Sequence, residues 1–263
     1  MFRSASPLLH GLAVVGCVLA IAPPARAQQW ATLKGHLVVD GKMGSPAPVN
    51  ADKDVAVCGK QKLVDEKVVV SPAGDLANAV VYVRDKSVEV SPEYAKTAKD
   101  EVVLDNKDCR FEPHVVILRT TQSLLLKNSD PVGHNTKVDL IKNDSFNDML
   151  PASQSLKKTG LSKEETLPLN VSCSIHPWMN AVILIRNNPY AEVSKADGTF
   201  EIKDLPAGVE LEFQFWQEKA GNLKNIKNDK DFATDGKGRV KLTLKPGVTD
   251  LGTIKIPSGA FER

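Results

Sequence analysis

Four side chains of the sequence are of types that bind metals, and three of them lie close together. Cys173, His176 and Met179 have the spacing Cys-x2-His-x2-Met, and His134 lies far upstream. Two imidazoles and one thiolate form a trigonal ligand set for copper, with a thioether as a weak axial contact. Soft sulfur suits Cu(I), and imidazole suits either oxidation state. The pattern therefore predicts a transition-metal site, with copper as its metal, that tolerates both Cu(I) and Cu(II).

Each of these residues also has an ordinary structural interpretation. Methionine commonly fills cores, His134 could be held by a backbone hydrogen bond, and Cys173 could be a buried, inert thiol. Zinc remains an alternative metal, although a thioether is a poor zinc ligand. An enzyme with Cys173 as nucleophile and His176 as base is a further alternative. Because no third orienting group is evident for that pair, no catalytic residue is predicted.

His114 and Trp178 carry less information about chemistry. His114 lies at the start of a predicted strand. A structural histidine is favoured there, and a second metal site is the alternative. Trp178 follows Pro177 on the predicted ligand loop, where it either packs the loop or contributes to a docking patch.

The secondary structure predicted around these side chains consists mostly of strands. Short runs rich in Val, Leu, Ile, Phe and Thr alternate with turn residues, and no long 3.6-residue periodicity is present. Asp197-Gly198 is a two-residue hairpin signal. Residues 92–100 fit a short helix or a polar loop, and residues 224–238 a solvated loop. The pattern predicts an all-β fold built of sandwiches. The predicted strands are 33–39, 79–84, 114–119, 123–127, 166–172, 181–186, 199–203, 209–216, 239–244 and 251–256.

The composition of the chain excludes several classes of protein. Of its 263 residues, 42% are hydrophobic and 25% are charged, unlike a disordered, collagen-like or multi-span membrane chain. Only 5% are aromatic, and Arg3 and Arg26 account for the whole formal charge of +2. No nucleic-acid partner is therefore predicted.

Residues 1–27 are typical of a secretory signal peptide. Arg3 precedes an apolar stretch at 11–22, and a small-x-small pattern predicts cleavage after Ala27. The apolar stretch is too short to span a bilayer, and a lipoprotein signal at Cys17 is the alternative. The sequence therefore predicts a periplasmic or secreted protein without a transmembrane span.

The cysteine count bears on this compartment. Without the predicted leader, Cys58, Cys109 and Cys173 remain, so at most two of them pair. Cys173 has potential metal ligands as neighbours, and the other two do not. We therefore predict a Cys58–Cys109 disulfide, of the kind that persists outside the cytosol.

The region from about Cys109 to Arg186 resembles a cupredoxin, the small blue-copper β-sandwich, and most closely its amicyanin branch. The shared motifs are Phe111-Glu112-Pro113, a strand ending in Asn128, the pair His134-Asn135, and Cys173-x-x-His176-Pro177-x-Met179. The resemblance implies a Greek-key sandwich with one type-1 copper site. Its equatorial ligands would be His134, Cys173 and His176. Met179 would be the axial ligand.

The same resemblance implies roles for the neighbours of the ligands. Asn135 would hydrogen-bond the two ligand loops together, and Pro177 would support the ligand set from behind. The ring edge of His176, with Pro177 and Trp178 around it, would form a small docking surface. The implied function is an exported carrier of single electrons, with a cytochrome or a dehydrogenase or oxidase as its transient redox partner.

A C-terminal segment shows a second resemblance. Within residues 190–216, Ala196-Asp197-Gly198-Thr199-Phe200 and Leu205-Pro206-Ala207-Gly208 resemble the carboxypeptidase-regulatory-like sandwich, which implies a fold and no activity. We therefore expect a signal peptide at 1–27, a cupredoxin-like copper domain with an N-terminal extension at 28–187, and a small β-sandwich module at 188–263. The sequence leaves open which of the two units residues 33–87 join.

Two other functions remain open at this stage. Copper could be the cargo or a structural element of a non-redox binding or delivery protein. The chain could also be a β-sandwich binding module without redox chemistry. A carrier differs from a delivery protein because its metal stays bound while the oxidation state cycles.

Overall fold

The computed structural model describes residues 1–2 and 28–262 of the chain. Residues 3–27 of the predicted leader lie outside the described residues. The predicted cleavage site and Cys17 are therefore not described. Strands dominate the described part, so the predicted all-β class is confirmed. Within that part, no helix is both long and apolar enough to cross a membrane.

The strands match all ten predicted runs and add several short or polar ones. The strands are β1 (Trp30–Asp40), β2 (Val69–Val70), β3 (Leu76–Ala77), β4 (Val80–Val83), β5 (Glu101–Lys107), β6 (Arg110–Glu112), β7 (Val115–Arg119), β8 (Ser123–Asn128), β9 (His134–Val138), β10 (Phe146–Leu150), β11 (Ser155–Lys158), β12 (Leu169–Ser172), β13 (Asn180–Arg186), β14 (Ala191–Val193), β15 (Thr199–Pro206), β16 (Glu210–Gln217), β17 (Gly221–Asn222), β18 (Lys227–Asn228), β19 (Arg239–Thr243) and β20 (Gly247–Pro257). Short 3-10 helices lie at Cys58–Lys60, Pro92–Thr97 and Ser258–Phe261.

Strands β5 to β13 form one β-sandwich, which we call the site sandwich. One sheet has the order β6-β5-β8-β11, and the other has the order β10-β9-β12-β13-β7. Strands distant in sequence lie side by side, as in the parallel pairs β5–β8 and β7–β13. Alternate residues of β8, Leu124 and Leu126, point into the core between the sheets, where they are fully buried.

The remaining longer strands form a second sandwich. One sheet has the order β15-β1-β20-β18, and the other has the order β14-β4-β16-β17, with β19 beside β16. Alternate residues of β1, from Ala31 to Val39, are buried in its core. The N-terminal strands β1 and β4 thus pair with C-terminal strands, which answers the question that the sequence left open. The boundary between residues 187 and 188 stays a prediction.

The two sandwiches pack against each other through strands β4, β7 and β13. Strand β13 is apolar along almost its whole length because it is buried on both faces. One face lies in the site sandwich, and the other packs on β4 of the second sandwich. The residues of this shared cluster are Val80, Tyr82, Val115, Val182 and Leu184. The second sandwich is therefore packed directly against the sheet that carries the ligand loop.

Three local predictions have clear outcomes. The segment 92–100 contains a 3-10 helix, whose first turn is capped by the hydroxyl of Ser91. A turn forms at Asp197-Gly198, with Gly198 in the left-handed region at φ +73°, but the strands β14 and β15 that flank it lie in different sheets, so the predicted hairpin is not formed. The prediction of a solvated loop at 224–238 is wrong in part, because β18 lies within it and Phe232 is buried in the second sandwich.

Candidate metal centre

The sheet of the site sandwich that contains β9, β12 and β13 brings the predicted ligands together. Residues 173–179 form the loop between β12 and β13, which pair in antiparallel fashion up to Ser172 and Asn180. Strand β9 begins at His134 and lies beside β12. The start of β9 and the loop that follows β12 therefore meet at the same end of the sheet.

His134, Cys173 and His176 form a compact and buried donor cluster. Their donor atoms lie within 4.8 Å of one another, and Cys173 Sγ is 3.7 Å from His176 Nδ1. Metal–sulfur bonds of about 2.3 Å and metal–nitrogen bonds of about 2.1 Å at a trigonal angle separate two such atoms by about 3.8 Å. Both histidines are fully buried, and Cys173 is 2% exposed. The spacing of these donors therefore fits a shared metal ion.

Two carboxylates orient the histidine rings. Asp130 Oδ2 lies 2.9 Å from His134 Nε2, and Asp54 Oδ2 lies 2.8 Å from His176 Nε2. An ionised carboxylate only accepts hydrogen bonds, so each Nε2 carries a proton, and Nδ1 is the ring nitrogen left to bind a metal. The Nδ1 atom of His134 is buried without a hydrogen-bond partner. A bound metal ion would satisfy this atom.

The electrostatics of the cluster favour a thiolate even without a metal. Burial raises the pKa of Cys173, but the nearby His134 ring and the hydrogen-bonding contacts with Asn135 and His176 outweigh it and lower the pKa to about 6. Burial lowers the pKa of His134, but the hydrogen bond to Asp130 and the nearby sulfur of Cys173 outweigh it and raise the pKa to about 9. These contacts therefore favour the deprotonated form of Cys173, and the thiolate is the form that binds metals.

Asn135 connects β9 to the ligand loop. Its side-chain oxygen accepts hydrogen bonds from the amides of Ser174 at 2.8 Å and Ile175 at 3.3 Å. The backbone amide of Asn135 donates a hydrogen bond to Cys173 Sγ at 3.5 Å. One asparagine thus holds the loop against the strand and also donates a hydrogen bond to the sulfur, which stabilises negative charge there.

The other predicted residues of the loop lie on different sides of it. Met179 is buried in the core of the site sandwich, and its amide donates to the carbonyl of His176 at 2.9 Å. Pro177 is exposed. The ring of Trp178 lies 5.1 Å from that of His176, and its Nε1 donates to the carbonyl of Cys109. Trp178 therefore packs the loop against its surroundings.

The ring of His176 presents no exposed edge to a partner, and docking at Pro177 and Trp178 stays a prediction. His176 is fully buried because Asp54, which comes from the long segment before β2, lies on its Nε2 atom. The resemblance implied that the edge of this ring is exposed. In the structure, a remote part of the chain covers the His176 ring, whereas Pro177 of the same loop is exposed.

The predicted Cys58–Cys109 disulfide is confirmed, and Cys173 is free. Cys109 also lies near Asp130 and His134 as a second possible donor group. Because its sulfur is bonded to Cys58, Cys109 is not available to a metal. Cys173 is therefore the thiol of the site.

His114 is paired with an acid at the junction of the two sandwiches. Its Nε2 lies 2.6 Å from Glu218 Oε2, which follows β16. Among the described residues, His114 belongs to no group of three potential donors. The favoured structural interpretation therefore matches its surroundings.

Asp54 and Asp130 are the functional residues that the sequence analysis missed. Asp130 lies four residues before His134, so its proximity to a candidate ligand was a usable signal. Asp54 lies 122 residues before His176 and has no metal-binding motif around it. Only the folded chain brings Asp54 to the site.

We expect Asn135→Ala to weaken copper binding by about 10- to 100-fold, as is typical when a residue that orients ligands is lost. The substitution removes the acceptor for two loop amides and lets the ligand loop relax. Competition with a chelator of known affinity measures the change. Asn170→Ala, on the exposed face of β12, is the matched control and should bind like the wild type. Equal affinity of both variants would contradict the role assigned to Asn135.

The fold and the donor cluster together define a β-sandwich protein with a candidate metal centre of one cysteine and two histidines. No family model and no curated protein match the chain. Solved structures do show partial similarity. Amicyanin from Paracoccus versutus shares 16% identity over 40% of this chain and 97% of its own, with a TM-score of 0.29.

Two further solved structures are similar to part of the chain. A purple cupredoxin from Nitrosopumilus maritimus shares 16% identity over 33% of this chain and 99% of its own, with a TM-score of 0.27. A copper-containing nitrite reductase from Thermus scotoductus shares 21% identity over 32% of this chain, with a TM-score of 0.30. The similar region spans 22% of that reductase.

Proposed function

We propose that this chain is a copper protein that carries single electrons between protein partners. His134, Cys173 and His176 would hold one copper ion, with Met179 as the axial ligand. Bound copper would supply one-electron chemistry by alternating between Cu(I) and Cu(II). The observation that carries the proposal is the buried cluster in which a thiol and two oriented Nδ1 atoms face one another.

The surrounding residues favour electron transfer because they hold the donors in place. Asp54 and Asp130 orient the two rings, and Asn135 ties the ligand loop to β9. Burial excludes water from the sulfur. A site that keeps its ligands in one arrangement rearranges little when the charge of the metal changes, and this favours fast electron exchange.

The same observations weigh against a nucleophilic enzyme. Cys173 is only 2% exposed, so a substrate has no direct approach to its sulfur. The buried imidazole partners suit copper in either oxidation state, and the thiolate suits Cu(I). A donor set that serves both states supports copper in preference to zinc.

Further parts of the proposal concern the setting of the protein. Export through the predicted leader would place it in the periplasm or outside the cell, where its disulfide persists. The motif resemblance favours the amicyanin branch, and the partner would be a cytochrome or a dehydrogenase or oxidase. That partner would receive the electron elsewhere than at an exposed His176 edge.

Repeated oxidation and reduction of the copper-loaded protein tests whether the metal is a redox group or cargo. We expect ferricyanide and ascorbate to interconvert the two states over many cycles, with no copper appearing on a chelator in solution. His134→Ala should bind copper weakly, and His36→Ala, which changes a histidine paired with Asp75 far from the cluster, should behave like the wild type. Release of copper on each reduction would favour the delivery alternative and contradict the carrier.

A further inference from the structure

A short segment of the chain lies over the metal centre. Residues 52–61, which we call the cap, contain the 3-10 helix Cys58–Lys60 and no strand. The cap is folded on itself, because the carbonyl of Asp54 accepts hydrogen bonds from the amides of Val57 and Cys58, each at 2.8 Å. Val55 is 60% exposed, so the outer face of the cap meets solvent.

The inner side of the cap contacts a predicted ligand. Asp54 Oδ2 lies 2.8 Å from His176 Nε2, and this contact joins residues 122 positions apart. Asp54 has a φ of 44°, in the left-handed region that few residues other than Gly, Asn and Asp adopt readily. The local backbone is thus held in a conformation that aims this carboxylate at the ring.

The cap is fastened next to both histidines. Cys58 is bonded to Cys109, whose amide donates to Asp130 Oδ2, the atom that also contacts His134. The carbonyl of Cys109 accepts the hydrogen bond from Trp178 on the ligand loop. The disulfide therefore anchors the cap to the same frame that orients the two rings.

We propose that the cap closes the metal centre, with Asp54 as the residue that positions His176, and that opening of the cap controls access of small thiol reagents, chelators and copper donors to the site. This inference rests on the proposed function for its consequence: a capped metal is a resident redox group and exchanges slowly. The closure itself is a property of the metal-free chain. It can therefore be tested without copper.

Alkylation of Cys173 by iodoacetamide in the metal-free full chain measures closure directly, with modification quantified on the peptide that contains Cys173. The wild type should react far more slowly than the same chain in denaturant. Asp54→Gly keeps the left-handed backbone accessible and removes the carboxylate. We expect this variant to react about tenfold faster, because the free energy needed to open the cap locally is lower. Asp54→Asn keeps both the backbone preference and a side-chain acceptor, so it should restore slow labelling.

Asp204→Gly is the matched control. Asp204 also has a left-handed φ, of 53°, but lies on β15 of the second sandwich, so this variant should label like the wild type. If Asp54→Gly does not fold, Cys58→Ser/Cys109→Ser unfastens the cap by a different route and should also label faster. Labelling of Asp54→Gly no faster than that of Asp204→Gly would overturn the cap.

Removal of copper by a Cu(I) chelator provides the second readout. We expect Asp54→Gly to lose copper about tenfold faster than Asp54→Asn and the wild type. Faster labelling in a chain that binds no copper would support the cap and overturn the proposed function. Equal labelling of all variants, with copper bound, would overturn the cap and leave the proposed function standing.

Discussion

Cys173→Ser should abolish the intense blue absorption that we expect from the oxidised, copper-loaded protein. That absorption requires charge transfer from a thiolate sulfur to Cu(II), and Cys173 is the free cysteine of the described chain. The substitution changes one atom at a buried position, so the fold should remain. The visible spectrum after copper loading and ferricyanide oxidation measures the effect.

The matched control removes the other two cysteines. Cys58→Ser/Cys109→Ser should keep a blue band, because the disulfide sulfurs are not donors to the metal. Far-ultraviolet circular dichroism must show that each protein remains folded. A wild type that stays colourless with Cu(II), or a blue Cys173→Ser protein, would contradict the proposed copper site.

Removal of the disulfide should lower the free energy of unfolding by about 2–4 kcal/mol. The bond joins positions 51 residues apart, so its loss releases a long loop in the unfolded chain. The folded state also loses the anchor of the cap. Urea unfolding of metal-free Cys58→Ser/Cys109→Ser and wild type, followed by circular dichroism, measures the difference.

The variant Cys173→Ser controls for the effect of replacing a cysteine without breaking the disulfide. Metal-free Cys173→Ser keeps the disulfide, so it should not show the loss that comes from releasing the 51-residue loop. Wild type unfolded in the presence of a thiol reductant, without alkylation, should resemble the double variant if the cross-link is the cause. A double variant as stable as the wild type would show that the bond contributes nothing to the fold.

The fold was predictable wherever strands are marked by apolar alternation. Strand β1 follows this rule, since its buried residues alternate along its length. Strand β10 was missed because Asn147 and Asp148 interrupt its pattern, and asparagine and aspartate are depleted in strands. Strand β9 was missed for a similar reason, since it begins with His134 and Asn135 at the candidate metal centre.

The donor types could be predicted from the amino-acid sequence, because Cys173, His176 and Met179 lie on one loop and their spacing is local. The same sequence also indicated which cysteines pair, because Cys58 and Cys109 lack neighbouring metal ligands. The pairing of β1 with the second sandwich and the contact of Asp54 with His176 become visible in the folded chain. Both depend on contacts between residues more than a hundred positions apart, and a local pattern carries no information about such contacts. Contacts between distant residues depend on which sheets bury their apolar faces against each other and on the disulfide that closes a long loop. Both are properties of the folded chain as a whole.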